Sequence, residues 1–81
     1  MYSFEFSETA EKQFYKFNRE VQKRIISTLE RIKIRPYSYI LRLVNSPYFR
    51  LRVGEYRLIL DIKENKLTIF IIEIRHRKKY L

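Results

Sequence analysis

Cysteine is absent from this chain and histidine occurs once. The first absence excludes disulfides and thiolate metal sites. The second excludes a multi-histidine metal centre within one chain, and no metal or other cofactor is expected. With one glycine and two prolines in 81 residues, there is no Gly/Ser linker, no low-complexity tract and no repeat. A single domain spanning 1–81, with a modest core, is therefore expected. No apolar run approaches the roughly 18 residues that a membrane span needs. The opening MYSFEFSETAEK has no basic region followed by an apolar one, so no signal peptide is expected and the cytoplasm is the expected location. Acidic residues are also in short supply. Nine Asp+Glu stand against 18 Lys+Arg, a formal charge of +9, which suits a polyanion such as nucleic acid or an acidic protein partner.

What is present begins with an alternating stretch, Tyr2 to Phe6, that reads as a short strand with Tyr2, Phe4 and Phe6 on one face. Ser7 fits a helix N-cap, with Glu8 and Glu11 near the positive end of the helix dipole. Ala10, Phe14 and Phe17 make one apolar stripe. Asn18 caps a second helix, whose buried stripe is Val21, Ile25, Leu29 and Ile32, with Ile26 beside it. Basic Arg31, Lys33 and Arg35 stand near its end, and Pro36 stops it. The helices are joined almost without a loop and should form a hairpin covering one face of a sheet. Residues 36–47 then make a connection, extended in part between Tyr39 and Val44, with a turn at Asn45-Ser46-Pro47.

The remainder, YFRLRVGEYRLILDIKENKLTIFIIEIRHRKKY, reads as three antiparallel strands. Gly54-Glu55 suits a two-residue type II′ hairpin loop. Val53 then faces Tyr56, Arg52 faces Arg57, Leu51 faces Leu58 and Arg50 faces Ile59. One face carries Phe49, Leu51, Val53, Tyr56, Leu58, Leu60 and Ile62 and must be the core; the other carries Arg50, Arg52, Arg57, Ile59 and Asp61. Arginine opposite arginine is unfavourable across a strand pair, which is a reason to expect an anion there. The next turn has two readings. A four-residue loop from Lys63 to Lys66 sends Leu67, Ile69 and Ile71 to the core and takes Glu73, Arg75 and Arg77 with them. A three-residue loop, Glu64-Asn65-Lys66, reverses the parity. It buries Phe70, Ile72 and Ile74, sets Glu73 opposite Arg57 and brings Arg77 to the arginine face. The second buries the larger apolar set and is preferred. It leaves Ile59, Leu67, Ile69 and Ile71 exposed beside the arginines, as a protein-binding patch.

Three segments carry a family resemblance: FSETAEKQFYKFNREVQKRI before a proline, then YFRLRVGEYRLIL, then IRHRKKY. Together they span nearly the whole chain and resemble the RelE/ParE toxin superfamily, the toxin halves of toxin–antitoxin pairs. The resemblance implies an α+β fold of order β-α-α-β-β-β, a small antiparallel sheet with an N-terminal strand and a helical hairpin on one face. For the RelE branch it implies a ribosome-dependent endonuclease that cleaves messenger RNA in the A site. The RNA's own 2′-hydroxyl attacks the adjacent phosphate, and translation stops. The partners implied are the ribosome, messenger RNA and a RelB-like antitoxin.

By position, Arg57 and Arg77 match the family's phosphate-binding arginines, with guanidinium forks suited to a scissile phosphate. Arg50 and Arg52 match two basic residues before the hairpin turn that are often lysines in relatives. Arg52, Arg57, Arg77 and Tyr80 are the expected catalytic group, and Arg50, Arg52, Arg75, Lys78 and Lys79 the expected RNA contacts. Ile59, Leu67, Ile69 and Ile71 are the expected antitoxin contacts. Tyr80 follows Arg77 by only three residues, closer than the family tyrosine, and Arg75 stands where relatives carry glycine. His76 is expected to point inward. No residue is an evident base for the 2′-hydroxyl, since arginine stays protonated. Two alternatives keep the basic surface but change the activity: a ParE-type poison of DNA gyrase, and a non-catalytic nucleic-acid-binding module.

Overall fold

Capping side chains start both helices. In the computed structural model, which describes residues 1–76, strand β1 (Ser3–Phe6) runs into Ser7, whose hydroxyl accepts the Ala10 N–H at 3.0 Å and opens helix α1 (Glu8–Lys16). Asn18 opens helix α2 (Arg19–Ile32) in the same way, its Oδ1 accepting the Val21 N–H at 2.9 Å. Phe17 and Asn18 are the whole connection. Gln22 ties it down by donating Nε2 to the carbonyls of Phe14 at 3.2 Å and Phe17 at 3.0 Å, at a helix end where carbonyls lack intrahelical donors. Helix α2 ends at Ile32, short of Pro36. The proline instead opens a 3-10 turn, Pro36–Ser38, a first-turn position where its missing N–H costs little.

Strands β2 (Leu41–Arg42), β3 (Phe49–Val53), β4 (Tyr56–Lys63) and β5 (Thr68–His76) complete one sheet of order β1-β5-β4-β3-β2. The expected order of elements gains one member, the two-residue edge strand β2 within the segment that reads as partly extended. The sheet is also mixed, because β1 runs parallel to β5 while the other pairings are antiparallel. The first hairpin has the expected register, Val53 to Tyr56 through Arg50 to Ile59. Gly54 holds φ at +59, the first-position angle of a type II′ loop. The Arg24 guanidinium lies 3.2 Å from where a Cβ would stand, so backbone and packing both call for glycine. Both helices cover one face. Ala10, Phe14, Ile25, Leu29 and Ile32 are buried against Leu51, Val53, Leu58 and Leu60.

The second hairpin departs from the preferred three-residue loop. Residues Glu64 to Leu67 make the turn, with Glu64–Lys66 in a 3-10 conformation and Leu67 left-handed at φ 47. Lys63 pairs with Thr68, Ile62 with Ile69, Asp61 with Phe70 and Leu60 with Ile71. Then the register slips. Ile59 pairs with Glu73, and Ile72 is the extra residue of a β-bulge. The bulge inverts parity midway along β5. Ile69 and Ile71 enter the core before it, and Ile74 enters after it. Each sequence reading of this turn thus has the right parity for half of the strand, and neither has the observed register. Phe70 and Ile72 stand outside the core cluster, and Glu73 faces Ile59 rather than Arg57.

Helix α1 holds the bulge in place. The Ser7 N–H donates to the Ile71 carbonyl at 2.9 Å, the Ser7 hydroxyl donates to the Ile72 carbonyl at 2.5 Å, and Gln13 Oε1 accepts the Ile74 N–H at 2.7 Å. Backbone groups that the broken ladder leaves without strand partners are satisfied by side chains instead. Ser7→Ala removes a cap and a bulge contact together. The expected loss is about 1–3 kcal/mol, measured by urea denaturation; a loss below about 0.5 kcal/mol would show that the bulge stands without Ser7.

Candidate nucleic-acid interface

The face of the sheet turned away from the helices carries the arginines. Arg52 on β3 faces Arg57 on β4, and Arg57 faces Arg75 on β5. This is one straight row of three like charges across adjacent strands, with roots about 5 Å apart. Arg50 and Glu73 lie in the next row, on either side of Ile59. The row exists because of the bulge. Without the extra residue Ile72, Arg75 would fall on the helix side with Ile69 and Ile71.

A row of this kind opposes folding, since like charges directly opposite repel. One contact tempers it and a second feature adds to it. Glu73 accepts a hydrogen bond from Arg75 Nη2 at 2.7 Å. Arg57, at the centre, is half-buried, and its Nε is shut off from solvent with no hydrogen-bond partner among the described residues. A buried guanidinium N–H left unpaired costs on the order of 1–3 kcal/mol, and such groups are rare in folded proteins. The geometry is that of a donor waiting for an acceptor, flanked on both sides by positive charge.

The site residues expected from the sequence divide into three groups. Arg50, Arg52, Arg57 and Arg75 come together on one face. Arg77, Lys78, Lys79 and Tyr80 lie outside the described residues. The apolar patch does not form. Ile59 is 4% exposed and Ile69 and Ile71 are 0% exposed, leaving only Leu67 of the four in solvent. For Ile69 and Ile71 the physical reason is the turn, which closes at Lys63 and Thr68 and sends both to the helix side ahead of the bulge. Ile59 stays on the arginine face and is buried there, flanked by Arg50 and Glu73. Exposed large apolar side chains occur elsewhere, among them Ile34, Tyr37, Tyr39, Leu41, Val44 and Tyr48 in the segment between the end of α2 and β3. His76 does point to the helix side, as expected. Its ring meets Tyr56 edge-on at 4.9 Å, and Nε2 is 3.8 Å from the Glu55 carboxylate.

Glu73 has a place in the site that the sequence reading did not see; there it served only as a neighbour for Arg57. Its alternation with Arg75 was the available signal. Farther along the same face, Lys63 bonds the Asp61 carboxylate at 2.9 Å, which holds its ammonium above the ordinary lysine range. Among the described residues no group of three or more His, Asp or Glu side chains is placed to hold a metal ion. No helix among them is long and apolar enough to cross a membrane.

Residues 4–80 match the family described as the ParE toxin of type II toxin–antitoxin systems. No curated protein matches the chain. Several solved structures share the fold. The RelBE2 toxin–antitoxin complex of Mycobacterium tuberculosis aligns over 94% of this chain and 98% of its own, with TM-score 0.82 and 24% identity. The archaeal RelE–RelB complex of Pyrococcus horikoshii covers 94% of each chain, with TM-score 0.80 and 17% identity. The intact RelBE complex of Escherichia coli covers 94% of this chain and 96% of its own, with TM-score 0.78 and 23% identity.

Proposed function

The chain belongs to the ParE toxin family of type II toxin–antitoxin systems, within the RelE/ParE superfamily, and we propose that it is a ribosome-dependent messenger RNA endonuclease held in check by a RelB-like antitoxin. The observation that carries this reading is the buried Nε of Arg57, without a partner among the described residues, at the centre of the Arg52–Arg57–Arg75 row. A scissile phosphate supplies the acceptor that this donor lacks. Attack by the 2′-hydroxyl on the adjacent phosphorus gives a pentacoordinate phosphorane that carries one more negative charge than the ground state. Preorganised positive donors therefore favour the transition state over the substrate. Collapse expels the 5′-oxygen and leaves a 2′,3′-cyclic phosphate and a 5′-hydroxyl.

Arg57 is assigned to the phosphoryl oxygens, with Arg52 and Arg75 flanking it and Arg50 on the neighbouring phosphate. The resemblance adds Arg77 as a second clamp, Tyr80 as a further catalytic group, to which we assign protonation of the leaving oxygen, and Lys78 and Lys79 as backbone contacts. The 2′-hydroxyl proton needs an acceptor. Of the carboxylates on this face, Glu73 stands one row from Arg57, and we assign it that role. Its bond to Arg75 orients it. Glu73→Gln keeps an oxygen for Arg75 but removes the basic lone pair. The expected result is a cleavage rate lower by about 10²–10⁴-fold with RNA binding unchanged; wild-type cleavage by this variant would return the base to another group.

Stalling of translation tests the reading as a whole. Purified toxin is expected to stop a cell-free translation reaction while leaving DNA gyrase supercoiling intact. The family match carries the ParE name, so gyrase poisoning is the second reading. Loss of supercoiling with translation intact would establish it in place of the first.

A further inference from the structure

The open face of the sheet continues past the arginines to a second feature that phosphate chemistry does not use. Asp61 and Phe70 face each other across β4 and β5, and Glu5 of β1 faces Phe70 from the other side. Phe70 is half-buried and stands outside the core cluster, an aromatic ring on the side of the sheet that neither α1 nor α2 covers. A shallow cavity of about 320 Å³ opens there, lined by Glu5, Lys63, Lys66, Thr68 and Phe70. Its rim is tied down. The Tyr37 hydroxyl bonds the Glu64 carboxylate at the turn carrying Lys66, and Thr68 Oγ1 donates to the Lys66 carbonyl at 3.0 Å.

The local charges describe the occupant. Lys63 is engaged by Asp61, so Glu5, Asp61, Lys63 and Lys66 sum to neutrality. This is unlike the arginine row and unsuited to a phosphate alone. A ring face, a carboxylate and a hydroxyl oxygen left as acceptor suit a nucleobase that brings its own N–H donors. An aromatic on an open sheet face is a general platform for unstacked bases. Arg57 and Asp61 lie four residue steps apart along β4, about 13 Å at the usual rise. That is roughly the reach from a scissile phosphate to the second nucleotide away from it.

We propose that this cavity is a base-binding subsite for single-stranded RNA, in which Phe70 stacks on a base bearing an exocyclic amino group, Glu5 accepts from that amino group, and Lys66 meets the adjoining phosphate. The subsite rests on the RNA-cleavage reading and adds base selectivity to it. Uracil, which lacks the amino donor, is the disfavoured occupant.

The test uses programmed ribosomes and messages varied one base at a time through two nucleotides on each side of the cut, with wild type, Arg57→Met, Phe70→Leu, Phe70→Trp and Glu5→Gln. The expected result is that wild type discriminates against uracil at one of these positions. Phe70→Leu is expected to lower cleavage about tenfold, Phe70→Trp to keep it, and Glu5→Gln to lose the discrimination. All variants at positions 5 and 70 should melt as wild type does. Wild-type cleavage that depends on Arg57, with Phe70→Leu and Glu5→Gln showing wild-type rate and base preference, would overturn the subsite and leave the nuclease standing. No cleavage by wild type would overturn both.

Discussion

Replacing Arg57 by methionine is expected to abolish messenger RNA cleavage and, at the same time, to raise the melting temperature. The two effects share one cause. Arg57 sits between Arg52 and Arg75, with its Nε buried and unpaired among the described residues. In the free protein it contributes repulsion and a desolvated donor, both unfavourable. Methionine has similar reach, no charge and no N–H to satisfy. A gain of about 1 kcal/mol raises the melting point by roughly 4–8 °C in a domain of this size. Against the phosphorane, the same change removes a preorganised positive donor, a loss of about 10²–10³-fold in rate. Calorimetry of the purified variant beside a cleavage assay reads both quantities. A variant that melts lower than wild type would mean that the guanidinium is already satisfied in the free protein, and the case for a waiting donor would fail. Functional residues held at a cost to stability are the expected trade-off at a binding site.

Ile71→Asp is expected to leave the chain unfolded. In the sequence reading Ile71 belongs to an exposed antitoxin patch, and the same substitution there would weaken partner binding and spare the fold. The structure makes Ile71 0% exposed, paired with Leu60 on one side and Phe6 on the other. Aspartate at that point removes a buried isoleucine, worth about 2–5 kcal/mol with its cavity, and places a carboxyl among apolar side chains at a further cost of several kcal/mol. Total stability for a domain of this length is about 4–12 kcal/mol, so the sum consumes most or all of it. Circular dichroism is expected to show no cooperative melt. Leu67→Asp, at the exposed turn position, should melt close to wild type and serves as the control. A cooperative melt of Ile71→Asp near the wild-type temperature would restore the three-residue loop and the parity that goes with it.

The difference between those two readings shows what local sequence carries. Ser7 and Asn18 are legible as caps because capping is decided within three residues. The Gly54-Glu55 hairpin is legible because the single glycine admits few registers, and Arg50, Arg52 and Arg57 follow from it by counting. Strand β5 is different. Its apolar residues, Ile69, Ile71, Ile72 and Ile74 with Phe70 among them, satisfy either parity, so alternation cannot choose. The choice is made by contacts distant in the chain: Ser7 to the Ile72 carbonyl and Gln13 to the Ile74 N–H. A bulge held by side chains more than sixty positions away leaves no local signature. What depends on it was hidden for the same reason: the burial of Ile74 together with Ile69 and Ile71, and the alignment of Arg75 with Arg57.

The most direct measurement is primer extension on messenger RNA from a cell-free translation reaction, with purified toxin, in the presence and absence of ribosomes. The arginine row as a phosphate clamp requires cuts inside codons that depend on ribosomes, end in 2′,3′-cyclic phosphate and disappear with Arg57→Met. Full-length message under all conditions, or cuts that survive Arg57→Met, would contradict it.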